Sequence, residues 1–330
     1  MGHRILIIGS GQLGTRHLQA VAQMPGVTTI EVVDPSPASL ELGRARIAEL
    51  GDAATPGIEY RWLSDVRKAW SSPDLVIVAA QSAGRAKLVA DAYAATGATR
   101  WLLEKVVTRS VAEYSELMAL AEAEALDMWV NCKTRAYSVH KHIKSLIPAG
   151  APIYLSDTGG NHGLGNNGVH AADLFCYYVP CDHIGIVGSR IDDEVHASKR
   201  GGDVCDLSGT LSGSANGSDF VLSFAGSHVA PDVVTIVAPG MRFVVDHFTK
   251  TAWESLEADN WTWKPIPISA DESWAVSHMT TAFATEIIEE GRCELPTLAE
   301  CFPAHEFILD SLEPHFERLL GNTDGSCPIT

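Results

Sequence analysis

Positive charge is scarce in this chain. Its 330 residues carry 24 Lys and Arg against 41 Asp and Glu, a formal net charge of −17 with histidine neutral. A surface this acidic repels phosphate backbones and anionic lipid heads, which argues against nucleic-acid and membrane partners. Small anionic ligands are not excluded, because a local pocket can oppose the global sign. Long apolar runs are also lacking, and none approaches the roughly 18 residues that a membrane span needs. The run Arg4–Ile8 is too short for a signal peptide and breaks at a glycine-rich turn with no cleavage site after it. There is no internal repeat, no low-complexity tract and no C-x-x-C pair. The seven cysteines are scattered and odd in number, so they read as reduced thiols rather than a disulfide framework. We expect a soluble, cytoplasmic protein.

What is present is enough to build cores. Hydrophobic residues make up 46% of the chain, near the globular average, and the length suggests about two domains. The first 130 residues alternate short apolar runs with helical patterns. Strands are predicted at Arg4–Ile8, Ile30–Val33, Tyr60–Leu63, Leu75–Ala79 and Trp101–Leu103, with helices such as Thr15–Met24 and Ala38–Leu50 between them. That alternation predicts a doubly wound parallel sheet whose strand ends share one ligand-binding edge. Ser110 to Glu113 fits a capping box that opens another helix. Residues 151–268 instead place short alternating strands among Gly, Ser and Asp, as in an open, mostly antiparallel sheet. The tail, 297–320, is helical, with Pro303 and Pro314 expected to divide it. We therefore expect domains at 1–130 and 131–330, with the last helices packing back on the first.

The strongest local signal is Gly9-Ser10-Gly11-Gln12-Leu13-Gly14, placed directly after the first strand and opening a helix. Gly9 permits the tight turn, Gly11 lets a pyrophosphate approach the backbone, and Gly14 allows close helix–strand packing. The helix N-terminus supplies free N–H groups and a favourable dipole. Asp34 closes the second strand 20 residues after Gly14, where an acid accepts from the ribose hydroxyls and repels a 2′-phosphate. NAD is expected, in preference to NADP.

Glu104-Lys105 ends the fifth strand at the same edge, where a lysine can reach a nicotinamide and a substrate oxygen; spacing alone favours an ordinary exposed pair. Gly159–Gly168 is a Gly- and Asn-rich loop that includes Asn161, His162 and Asn166 and runs into a helix carrying His170 and Asp173. Asn166, His170 and Asp173 fall roughly on one helix face, and local chemistry leaves the role of His170 undecided. His140 and His142 read as solvated or capping histidines. Trp261 and Trp263 alternate as on one strand face, which suggests a core or subunit-interface role. Lys133 and Arg135 fit either an anionic ligand or ordinary salt bridges.

In order along the chain, Gly9–Gly14 with Arg16-His17, Glu104-Lys105, Asn131 with Arg135, and Gly168–Asp173 resemble the Gfo/Idh/MocA oxidoreductases. The resemblance runs over nearly the whole chain, including Leu295–Leu298. It implies a Rossmann domain followed by an α/β domain whose open sheet commonly makes oligomer contacts, hence a homo-oligomer, dimer or tetramer. It also implies hydride transfer between NAD(P) and a sugar, polyol or activated, even acidic, sugar derivative. Lys105 and His170 stand at the family's catalytic positions, with Asn166 where a carboxylate is usual and Val106 where a proline is usual. The histidine often found after the fourth strand is absent, and Gln81 lies in that region. An amide at Asn166 can orient an imidazole but adds no charge. The implied cofactor contacts are Gly9, Ser10, Gly11, Gln12, Leu13, Gly14, Asp34, Gln81, Glu104 and Lys105. The implied substrate contacts are Lys105, Arg135, Asn161, His162, Asn166 and His170, and no metal is implied. The alternatives are an NAD-retaining epimerase or lyase, and a non-catalytic dinucleotide-binding partner or sensor.

Overall fold

The computed structural model describes residues 2–160, 163–198, 201, 204–227, 229–321 and 323–330. The chain divides into two compact units. One comprises Met1–Thr108, Ala112–Asn131 and Ser273–Leu298, and the other Arg109–Val111, Cys132–Glu272 and Ala299–Thr330.

The first unit alternates strand and helix: β1 (His3–Ile8), α1 (Gly14–Val21), β2 (Val27–Val33), α2 (Pro37–Ala48), β3 (Glu59–Leu63), β4 (Leu75–Val78), α3 (Arg85–Thr96), β5 (Arg100–Leu103), α4 (Val111–Ala123) and β6 (Asp127–Val130). The six strands form one parallel sheet in the order β3-β2-β1-β4-β5-β6. Every residue of β4, Leu-Val-Ile-Val, is fully buried, as expected of a parallel strand covered on both faces. Ser36 caps α2 by accepting from the Ser39 amide, with Pro37 at its first position. The sheet order reverses between β1 and β4, and an open α/β sheet binds ligands at such a switch point.

The second unit starts with a 3-10 turn, Lys133–Ala136, and α5 (Ser138–Leu146), followed by β7 (Tyr154–Gly160) and α6 (Gly168–Tyr178). Next come β8 (Gly185–Ala197), β9 (Cys205–Ala215), β10 (Ser218–Ala225), β11 (Ala230–Ala238), β12 (Met241–Asp246), β13 (Thr251–Leu256) and β14 (Trp263–Pro265). These strands make an eight-stranded sheet, β14-β13-β12-β11-β7-β10-β9-β8, antiparallel except where β7 meets β10. One face buries Leu155, Phe220, Leu222, Ile236 and Phe243, and Phe220 stacks on Phe175 of α6 at 5.1 Å between ring centres. The other face leaves Tyr154, Val237 and Trp253 exposed.

Two helices close the chain, α7 (Val276–Glu290) and α8 (Leu298–Leu320). The segment that returns to the first unit is α7, one helix earlier than the sequence suggested. Thr281 Oγ1 donates to the Ala20 carbonyl at 2.9 Å, and Phe283, Ala284 and Ile287 are buried. The tail is also undivided, because α8 runs 23 residues with Pro303 and Pro314 inside it. Each proline removes one helical bond. Burial of Cys301, Ala304, Ile308, Leu312 and Phe316 along one side supplies the packing that holds such a helix together.

Candidate active site

The turn after β1 is built as its glycines require. Gly9 has φ +95, and a Cβ there would lie 2.5 Å from the Ala80 backbone nitrogen. A Cβ on Gly14 would come within 1.9 Å of the Gly9 carbonyl oxygen, whereas one on Gly11 would meet nothing within 4 Å. Gly9 and Gly14 are thus glycines for the protein's own packing, and Gly11 keeps open space over the loop. The Ser10 amide donates to Asp34 Oδ2 at 2.8 Å, and the Ser36 amide donates to Asp34 Oδ1 at 2.8 Å. The Asp34 carboxylate therefore ties the loop to the end of β2. Gln12 and Gln81 are exposed, Leu13 half-buried. An open loop backed by a helix N-terminus, with a half-buried carboxylate beside it, fits a dinucleotide.

Glu104 and Lys105 are buried rather than an exposed pair; Lys105 is 7% exposed. Glu104 Oε1 takes His17 Nε2 at 2.7 Å and Asn131 Nδ2 at 2.5 Å, and His17 Nδ1 meets Thr280 Oγ1 at 2.9 Å. Burial works to raise the Glu104 pKa. The hydrogen bonds from His17 and Asn131 and the pull of His17 and Lys105 outweigh it, so the carboxyl titrates below its usual range. The Lys105–Val106 peptide is cis. Arg85, which sequence reasoning passed over, gathers this loop: its buried guanidinium donates to the carbonyls of Ala80, Glu104, Val106 and Val107. Its signal was weak, an arginine opening a helix after a Gly turn.

In the second unit, His170 in the first turn of α6 lines a cavity of about 250 Å³ together with Thr134, Asn167, Asp157, Asp232 and His247. Asp157 occupies an inward position of β7, opposite Leu222 of β10 and Val234 of β11. Burial first, and the nearby Asp232 second, push its carboxyl well above the usual carboxylate range. Behind the cavity His140 is fully buried, contrary to the solvated role expected of it. Its Nε2 meets His247 Nε2 at 2.7 Å and its Nδ1 meets the Tyr178 hydroxyl at 2.8 Å. Burial, then His247, holds its imidazole well below its usual range. His142 pairs with Glu254 at 2.9 Å.

Other expected contacts are placed elsewhere. The Asn166 side-chain oxygen accepts from the Thr330 backbone amide at 2.8 Å, and the Asn166 backbone amide donates to Asp206 Oδ2 at 2.8 Å. The cavity is lined by its neighbour Asn167 instead. Arg135 forms a buried ion pair with Asp173, 2.9 and 2.5 Å from its two carboxylate oxygens. It opens onto a separate cavity of about 650 Å³ beside Lys144 and Tyr177. His170 and Asp173 thus face different surroundings despite their helical spacing. Cys132 and Cys301 adjoin Asp173, where the Arg135 guanidinium already supplies the cation. Trp261 and Trp263 are exposed, at 43% and 44%, with Arg242 over both rings, so they are not core residues. Asn161 and His162 lie outside the described residues.

Comparison with known proteins agrees with this cofactor cradle. Residues 3–132 match the Gfo/Idh/MocA model, described as an oxidoreductase family with an NAD-binding Rossmann fold. Solved structures extend the likeness over the whole chain. A UDP-N-acetylglucosamine 3-dehydrogenase from Acidithiobacillus ferrooxidans superposes with a TM-score of 0.66 at 18% identity, covering 97% of this chain and 99% of that one. An Agrobacterium radiobacter oxidoreductase in complex with NAD+, L-tartaric acid and magnesium gives 0.71 at 15% identity, covering 93% and 94%. A 3-ketoreductase from Actinomadura kijaniata in complex with NADP gives 0.69 at 14% identity, covering 93% and 96%. No curated protein sequence matches. Residues 3–132 are thus similar to the NAD-binding Rossmann domain of the Gfo/Idh/MocA family, and the solved structures share the fold over the whole chain.

Proposed function

We propose that this protein is an NAD-dependent oxidoreductase of a sugar, polyol or sugar derivative. The observation that carries the reading is a buried lysine, Lys105, at the same carboxyl edge of the sheet as the open Gly9–Gly14 loop. A lysine is costly to bury without a task or a partner. Here Glu104, itself fixed by His17 and Asn131, sits beside it. Two of the similar structures bear the names of a sugar-nucleotide dehydrogenase and a ketoreductase, which supports the substrate class.

NAD, when bound, supplies or accepts the hydride. The Gly9–Gly14 loop and the α1 N-terminus would hold its pyrophosphate, and Asp34 would accept from the adenosine ribose. His170 takes the hydroxyl proton in oxidation and returns it in reduction. The Lys105 ammonium stabilises the developing alkoxide. Asn166 positions the loop before α6 rather than carrying a proton. The exposed sheet face around Tyr154, Val237 and Trp253 fits a homo-oligomer contact. Seven free thiols suit a reducing compartment.

NADH absorbance across sugars, keto-sugars and activated sugars tests the reading. With a substrate in hand, Lys105→Ala and His170→Ala should each lower turnover by about 10²–10⁴-fold. Turnover by both variants at the parent rate sinks the assignment.

A further inference from the structure

The cavity in the second unit has a chemistry of its own, and the inference drawn from it deepens the function proposed above. Its depth is set by β7, where side chains alternate between the two faces. The inward residues there are Leu155, Asp157 and Gly159, so a carboxyl stands in an otherwise apolar row. Asp157 is 5% exposed, and its Oδ1 has no hydrogen-bond partner among the described residues. An unpaired buried carboxyl oxygen is costly, and it is rare enough in a folded protein to need a reason.

The rest of the lining narrows that reason. Asp232 of β11 stands near enough to act electrostatically on Asp157, and its Oδ2 lies 3.6 Å from His247 Nδ1. His170 and His247 can each accept as well as donate. Among the described lining residues there is no Lys or Arg. A carboxylate ligand would meet two acids and no fixed cation. A hydroxyl can accept from the protonated Asp157 or donate to Asp232, but it brings no charge that would let both acids ionise. An ammonium brings three donors and a full positive charge, so both acids can ionise against it.

We propose that this cavity recognises a primary ammonium group, and that the substrate is an amino sugar or similar amino polyol with its nitrogen seated between Asp157 and Asp232. The volume, about 250 Å³, suits a single monosaccharide unit. On binding, the Asp157 carboxyl gives its proton to solvent and becomes the carboxylate partner of the ammonium; no other bond changes.

The test is isothermal titration of the full chain, with saturating NAD, against hexoses carrying an amine at carbon 2, 3, 4 or 6, and against their matched hydroxyl and carboxylate counterparts. At least one amino hexose should bind about tenfold or more tighter than its hydroxyl match. At pH 5, above the ordinary carboxyl range, buffers of different ionisation heat should show net proton release on binding, and the release should fall away as pH rises through the Asp157 pKa. Asp157→Asn should lose both the preference and the proton. Asp232→Asn, a change at a half-exposed position, should weaken the preference and guards against a folding artefact in the first variant. Equal or tighter binding of the neutral sugar, an amine preference that survives in Asp157→Asn, or no saturable binding by any of the amines overturns the proposal. NADH absorbance is read in parallel. NADH formation from neutral sugars without an amine preference would sink this inference alone. Amine binding without turnover of any substrate would sink the oxidoreductase reading alone.

Discussion

The two halves of the candidate machinery are built from different materials. The cradle after β1 is made of backbone: two glycines demanded by close packing, one left open, and a carboxylate whose oxygens are taken by the Ser10 and Ser36 amides. The cavity beside α6 is made of side chains from β7, β11, the turn after β12 and α6, and it leaves the Asp157 Oδ1 without a partner among the described residues. In the first unit the acids are satisfied before any ligand arrives. In the second, at least one is not. A site completed by its own protein binds a ligand through shape and dipoles, whereas an unsatisfied one selects by what the ligand must supply.

The sharpest way to break the contrast is to add a methyl group to the cradle. Gly14→Ala forces a Cβ to within 1.9 Å of the Gly9 oxygen, an overpacking that we expect to cost about 3 kcal/mol. It should be read as a lower unfolding midpoint together with loss of NAD binding. Gly11→Ala meets no atom within 4 Å, so it should keep the parent's midpoint and lose only NAD affinity. If Gly11→Ala binds NAD like the parent, the loop is not the pyrophosphate cradle.

A second prediction acts on the cavity. The Asp157 pKa is raised above the unfolded value of 3.8 by burial and by Asp232. Its contribution to stability is therefore complete below pH 3.8 and is lost as pH rises toward the folded-state pKa, because the unfolded chain ionises first. Asp157→Asn escapes that loss. Its unfolding free energy should improve relative to the parent between pH 4 and pH 7, by about 1.4 kcal/mol for each pKa unit of elevation. Denaturant melts at several pH values would show this, and a pH-independent difference would mean that Asp157 is ionised in the folded protein. The smallest effect belongs to Asp34→Ala, which should relax the preference for NAD over NADP by roughly tenfold; an unchanged ratio of the two dissociation constants would remove Asp34 from the ribose site.

This division of materials also explains what could be read in the sequence. The cradle is local: Gly9, Gly11, Gly14 and Asp34 lie within one strand–helix–strand unit, so spacing reports geometry. Five of the six parallel strands announced themselves as short apolar runs and were placed to within three residues, whereas β6 was not foreseen. The cavity draws on residues 134, 157, 170, 232 and 247, which only the sheet order brings together, and of these the sequence pointed to His170 alone. An acid at an inward parity of β7 was the available signal for Asp157, but it needed the strand's register first. His140 looked like a surface histidine because burial by Tyr178 and His247 comes from segments 38 and 107 residues away. Pro303 and Pro314 misled for the complementary reason, since local propensity yields when one side of a long helix is buried.

Arg85 has a practical consequence for anyone who alters this protein. One guanidinium draws on the carbonyls of Ala80, Glu104, Val106 and Val107, so the turns that follow β4 and β5 are tied to a common post. Randomising residues 105–107 to change substrate choice will also shift the turn that carries Gln81. Libraries should therefore keep Arg85 fixed and vary the two turns jointly. Variants selected at one turn alone can be expected to acquire their compensating changes at the other.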